Sequence, residues 1–274
     1  MKDLAKTNEI MVSTWEECEA KVAEIEKANA ISHTKLLFRG QCNSAWRLDT
    51  TLERRVPADI SFTDYYRTIL RVAPEISTYF GASWALPSDL KDITDLSKNY
   101  DEFSLRELPA YDYLVYLRHH GFPSPLLDWS RSLYVAAYFA FSKAAADDVA
   151  IFVFSERPDN MKLGSSSGPQ IRSLGPYVKT HRRHFRQQSS YTFCTEFESG
   201  TGIEFRSHQS VFDLGRTDQD VLWKFVIPAK KRLKVLTQLD KYNLNAFSLF
   251  DSEESLMETL AFREVDLKLL PPCS

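Results

Sequence analysis

Two short runs hold the residue types best suited to chemistry: Phe38-Arg39-Gly40-Gln41, and Arg118 to Ser130, which reads RHHGFPSPLLDWS. Leu36, Leu37 and Phe38 read as a buried strand over Lys35–Phe38, and an arginine follows at once. Arginine offers a rigid, planar fork of donors that matches phosphate or carboxylate. At the end of a core strand that fork is aimed into a cleft, and Gly40 lets a ligand or another backbone approach. The competing reading is a framework arginine paired with a nearby carboxylate. In the second run, His119 and His120 are adjacent on an expected helix and point about 100° apart. They therefore lack the spacing of a metal pair, and one packs inside while the other faces a cleft. Asp128, Trp129 and Ser130 put a carboxylate, a ring and a hydroxyl where a strand gives way to a helix. An N-cap role for Asp128 or Ser130 accounts for the same residues, and both readings can hold together.

Two later stretches add weaker signals. From Arg172 to Arg186 the chain carries Arg172, Lys179, Arg182, Arg183 and Arg186 with no acid between them. That stretch could contact phosphate, although a solvated basic loop is the commoner reading. Gln187 and Gln188 follow it. Glu196, Glu198 and Glu204 could do acid–base work, while their alternation with Phe197 also fits an exposed strand edge. There is no phosphate-binding glycine loop and no HExxH. Cys18, Cys42, Cys194 and Cys273 are scattered beyond metal-ligand spacing, so no metal site is expected.

The elements that must position these residues can be read from periodicity. Trp15, Cys18, Val22 and Ile25 make one apolar face of a helix over Thr14–Asn29, with Glu16 and Glu17 in its first turn. Helices are expected over about Phe62 to Phe80 and Pro109 to His120, with Leu86 to Asp101 between them as loop. Leu126 and Leu127 read as a short strand ending at Asp128, and Leu133 to Ala145 as a buried helix rich in alanine and aromatic residues. Val149 to Phe154 and Val221 to Pro228 are buried strands, Gly164 to Gly168 is a Ser/Gly loop, and Lys231 to Tyr242 and Ser252 to Phe262 are closing helices. The irregular mixture favours an α+β fold over a doubly wound one.

The 274 residues are 43% hydrophobic and 13% aromatic, enough for a sizeable core, and the net charge of −3 demands no nucleic acid or membrane globally. No leader-like apolar segment and no run of about 20 apolar residues is present. With scattered cysteines, this reads as a soluble, cytoplasmic protein without a membrane partner.

Phe38 to Gln41 with Trp46, Leu52 and Arg54; His120, Gly121 and Pro123; Leu126 to Trp129 with Ala136, Tyr138, Phe139 and Ala140; Arg183 to Gln188; and Ser248 to Phe250 together resemble the FRG-domain family. Arg118 departs from its pattern, which has Gln before the His pair, and Ser189-Ser190 stand where it has Gly. The match implies an N-terminal helical segment over residues 1–34 and an FRG-type domain over residues 35–270. A second resemblance is to ADP-ribosyltransferases of the Arg-Ser-Glu type. Arg39-Gly40 is similar to their first element, and Asp128-Trp129-Ser130 with the following helix to their second. It implies a single α+β domain with a central, mostly antiparallel split sheet flanked by helices. It also implies NAD as substrate, bound by Arg39, Gly40, Gln41, His119, His120, Asp128 and Trp129. Arg39, Ser130, Gln187 and Glu196 would be catalytic, with Glu198 or Glu204 as other choices of acid. The expected role is an intracellular toxin or phage-defence effector modifying nucleic acid or protein, with a cognate antitoxin. The alternative is a non-catalytic module that binds a nucleotide or partner.

Overall fold

The computed structural model describes residues 8–29, 35–56, 59–98, 108–144, 146–156, 168–214 and 220–269. Its centre is a nine-stranded sheet: β1 (Asn8–Met11), β2 (Leu36–Gln41), β3 (Ile60–Ser61), β4 (Leu127–Ser130), β5 (Asp148–Ser155), β6 (Gln170–Leu174), β7 (Ser189–Glu198), β8 (Gly202–Phe205) and β9 (Val221–Pro228). The order is β1-β9-β5-β2-β4-β7-β8-β3, with β6 on β7. Among the described residues only the β1–β9 pairing is parallel. Helices α1 (Trp15–Asn29), α2 (Thr51–Arg55), α3 (Phe62–Phe80), α4 (Leu90–Lys98), α5 (Tyr111–His119), α6 (Leu133–Ser142), α7 (Arg182–Arg186), α8 (His208–Asp213), α9 (Arg232–Lys241), α10 (Ala246–Phe250) and α11 (Glu253–Ala261) flank it. This is a mixed α+β architecture around an open, mostly antiparallel sheet. No helix among the described residues is long and apolar enough to cross a membrane.

Strand β5 shows why the sheet is covered on both faces. Val149, Ile151 and Val153 enter one core with Phe38, α6 and α9, whereas Ala150, Phe152 and Phe154 enter another with Leu37, Trp129 and α8. A third core gathers α3, α4 and α5 around Tyr191, Phe193, Ile203 and Phe205. Alternate side chains of one strand feed opposite layers, so a continuous apolar run is what this strand requires.

Several expected boundaries move. Strand β2 does not end at Phe38: Arg39, Gly40 and Gln41 pair with Phe152, Ile151 and Ala150 of β5, so Arg39 is inside the ladder. Strand β4 runs on to Ser130 because β7 pairs all four of its residues. Leu90–Lys98 is helical, not loop: Ile93 is buried against the α3–α5 core, and the Asp89 side chain accepts from Lys91 N at 2.8 Å. Leu90, Ile93 and Leu96 recur at helical spacing, but two turns in a polar segment are too short a pattern to stand out. The basic stretch is no single loop, since it contains β6 and α7. The Ser/Gly loop lies outside the described residues apart from Gly168.

Candidate functional site

One seam of the sheet is incomplete. Strands β2 and β4 pair only at Phe38 opposite Ser130, although β5 and β7 hold their outer edges along the full length. Beyond that point the two strands separate and a cavity of about 690 Å³ opens, lined by Arg39, Gly40 and Gln41 on one side and Asp128, Trp129 and Ser130 on the other. The connection after β2 forms its rim with Cys42, Trp46, Arg47, Asp49 and Arg54, and Phe139, Gln187 and Ser189 complete it. The volume falls within the range of small-molecule sites.

Arg39 spans the seam: Nη1 donates to the Asp128 backbone carbonyl at 2.8 Å. Burial pushes its guanidinium down to about 10, with Asp128 opposing the shift and Arg118 and Arg54 adding to it, so it is still a cation at neutral pH. Arg54 likewise donates to a backbone carbonyl, that of Asp49, at 2.7 Å. Helix α2 is fixed for this by a capping box between Thr50 and Glu53. Three buried polar atoms of cavity residues make no hydrogen bond among the described residues: the Arg39 Nε donor, the Gln41 Oε1 acceptor and Asp128 Oδ1, of which only the last has an ion-pair partner, Arg118. The Gln41 amide is oriented by donation from Nε2 to Arg47 O at 3.1 Å.

The Asp128 carboxylate faces Arg118 of α5, whose Nη2 donates to Oδ2 at 2.6 Å while Nε lies 2.6 Å from Oδ1. Behind it runs a buried chain of rings. His184 Nε2 lies 2.9 Å from Pro176 O, which can only accept, so that nitrogen carries the proton. Burial keeps His184 neutral, so its Nδ1 accepts from the Tyr191 hydroxyl at 3.1 Å, and that oxygen accepts from His119 Nε2 at 2.8 Å. Burial pushes His119 down to about 4.

Not every expected role survives this geometry. Gly40 is needed by the framework: a Cβ there would lie 1.9 Å from Ala136 O and 2.6 Å from Ala140 N, so it admits helix α6 and does not hold the cavity open. The Trp129 indole is turned into the core, stacked on Phe154 with centroids 5.3 Å apart and donating to Thr192 Oγ1 at 2.8 Å. The ring presented at the rim is Trp46, 53% exposed. Ser130 Oγ donates to Gln187 O at 2.8 Å and accepts from Ser132 N at 3.0 Å, so it ties α7 to the start of α6. The Gln187 amide donates to Leu249 O at 3.2 Å.

His119 and His120 lie outside the cavity lining. So do Glu196, Glu198 and Glu204, which with Asp59 surround Arg206 at 2.6–2.9 Å. Sequence reasoning gave no chemical role to Trp46, Arg54 and Phe139; the signal was their place beside the two motifs. The cavity thus offers two guanidinium groups bonded only to carbonyls among the described residues, a third on Arg47 that lies 3.6 Å from Asp49, exposed ring surface, and two arginine-paired carboxylates, Asp49 and Asp128.

Against protein families, the FRG domain model matches residues 34–149, a segment that contains β2, α2, β4 and α6 and hence most of the cavity wall. No curated protein and no solved structure matches the chain.

Proposed function

Starting from a cavity whose opposing walls both lie in the FRG-matching segment, we propose that this protein binds NAD between β2 and β4 and transfers its ADP-ribosyl group to a nucleic acid or protein. The observation that carries the reading is the opened seam with an unpartnered Arg39 Nε and an unpartnered Gln41 Oε1. A ligand bearing both an anionic acceptor and a hydroxyl or amine donor satisfies both atoms, and a dinucleotide has each. The Arg39 fork and Arg54 clamp the pyrophosphate, Gln41 takes a hydroxyl or amine, and Trp46 and Phe139 offer faces to the rings.

Asp128 is the acid placed to act. As the bond between the ribose C1′ and the nicotinamide nitrogen breaks, nicotinamide leaves with the bonding pair, and the carboxylate stabilises the positive charge left on the sugar. The acceptor's nucleophile then forms the new bond to C1′ and gives up its proton. Such an activity suits a cytoplasmic toxin or antiviral effector restrained by an antitoxin. The side-on pairing of Asp128 with Arg118 favours a second reading, nucleotide binding without turnover, because Arg118 already offsets the charge that turnover needs.

The test is calorimetric NAD titration together with nicotinamide release in the presence of cell extract. The unaltered protein should bind NAD and release nicotinamide. Asp128→Asn should retain binding and lose release, because its charge matters only as the sugar cation develops. Binding without release by the unaltered protein selects the second reading, and absence of both overturns the NAD assignment.

A further inference from the structure

Helix α7 and the segments fastened to it form a surface beside the cavity. Gln187, directly after α7, and Ser130, directly before Arg131, both line the cavity. Arg131 N donates to Gln188 O at 2.9 Å, and the bond from His184 Nε2 to Pro176 O holds the following Tyr177–Lys179 stretch against α7.

The basic residues here divide into two groups. Arg183 and Arg186 are committed to α10: Arg183 Nε donates to Phe250 O and its guanidinium lies 5.5 Å from the Phe250 ring, while Arg186 bonds Ser248 O at 3.1 Å and Asp251 at 2.9 Å. Arg182 is different, with a side chain 84% exposed and its nearest carboxylate at 3.9 Å. Arg131 and Lys179 are exposed as well. The Tyr177–Lys179 stretch and α7 carry two rings that the core leaves out, Tyr177 at 91% exposure near Lys179 in sequence and Phe185 at 60% one helical turn from Arg182. Cations interleaved with bare rings match a polyanion that carries flat apolar faces, which is what a single strand of nucleic acid presents and a duplex conceals.

We infer that single-stranded nucleic acid docks here, its phosphates along Arg131, Lys179 and Arg182 and its bases on Tyr177 and Phe185, with the strand leading to the cavity mouth at Gln187. Docking stands on this surface alone; that the strand is the acceptor rests on the NAD reading above.

The test is fluorescence anisotropy of the full chain, without NAD, against a labelled 12-nucleotide single strand of DNA or RNA. The same duplex and phosphatidylserine vesicles serve as competitors. With about three phosphate contacts, log affinity should fall against log salt with a slope of about −2, roughly 15-fold between 50 and 200 mM. Tyr177→Ala and Phe185→Ala should each weaken binding about tenfold and leave the slope unchanged. Arg182→Ala should reduce the slope by about 0.7. Tyr79→Ala, an exposed ring on α3, should change nothing. No binding to the single strand, tighter binding to the duplex or the vesicles, or indifference to both ring substitutions overturns the inference. Nucleic-acid binding that persists while NAD binding and nicotinamide release are absent leaves docking intact and removes the NAD reading alone.

Discussion

Arg39 and Arg206 are both arginines set into the fold, and their surroundings differ in one decisive respect. Arg206 is saturated: Asp59, Glu196, Glu198 and Glu204 surround a side chain only 12% exposed, and these partners push its guanidinium up against the opposing effect of burial. Arg39 bonds a single backbone carbonyl, keeps a buried Nε without a partner, and is pushed down by burial. A saturated arginine is held by its framework. An arginine whose fork is half used in a cavity is held ready for something else.

Arg39→Lys is the substitution that should separate the two most. Lysine keeps the charge and loses the planar fork, so NAD affinity should fall on the order of 10- to 100-fold by calorimetry. Arg206→Lys should leave that affinity unchanged and lower only the melting temperature. Equal effects of the two on affinity would erase the distinction.

Arg206→Met tests the framework half. It leaves four carboxylates facing one another and should cost about 2 to 3 kcal/mol at neutral pH in denaturant unfolding. The deficit should shrink as pH is lowered through the carboxylate range near 4, because protonation removes the repulsion. A deficit independent of pH would mean that lost packing, not charge, sets it.

The ring chain behind Asp128 gives a pH signature. His119 titrates at about 4 in the folded protein and near 6.5 unfolded. As pH falls below about 6.5 the unfolded chain takes the proton first, so stability present above that pH is lost progressively down to about 4 and then levels off. The His119 contribution should be on the order of 3 kcal/mol. His119→Gln should make the profile shallower over that window, the rest of the slope being left to His208, which burial also pushes down; an unchanged profile would show that His119 is not a source.

Glu196→Gln should give the smallest effect. It removes one of four carboxylates around Arg206, costs at most about 1 kcal/mol, and leaves nicotinamide release within about twofold. Loss of release there would move the acid from Asp128 to the Arg206 cluster.

How much of this was legible before the fold was known differs by element. Strand β9 and helix α3 were read at their observed bounds and α1 to within one residue, because an unbroken apolar run and a repeat of three to four residues are local properties. Helix α4 was missed because Leu90, Ile93 and Leu96 span only two turns of a nine-residue segment otherwise rich in polar residues. Strands β1, β3 and β8, at two to four residues each, are too short to show a period, and they exist through their partners. Of the site, Arg39, Asp128 and Ser130 stood out by residue type and by position at strand ends, and the cavity does bring them together. The glutamates stood out by residue type alone, as candidate acids, and Arg206 holds them elsewhere.

Residue types and local periodicity alone therefore determined the α+β class, the principal helices and core strands, and the two motifs that build the cavity. They did so because side-chain chemistry and alternation act within a few residues along the chain. The separation of β2 from β4 after one residue pair, the inward turn of the Trp129 ring, the requirement for glycine where α6 crosses Gly40, and the assignment of Asp128 to Arg118 and of Glu196 to Arg206 were decided only by tertiary structure. Each depends on groups distant in sequence meeting at a few ångströms, and ion pairs and close packing are chosen by that meeting rather than by the identity of either partner.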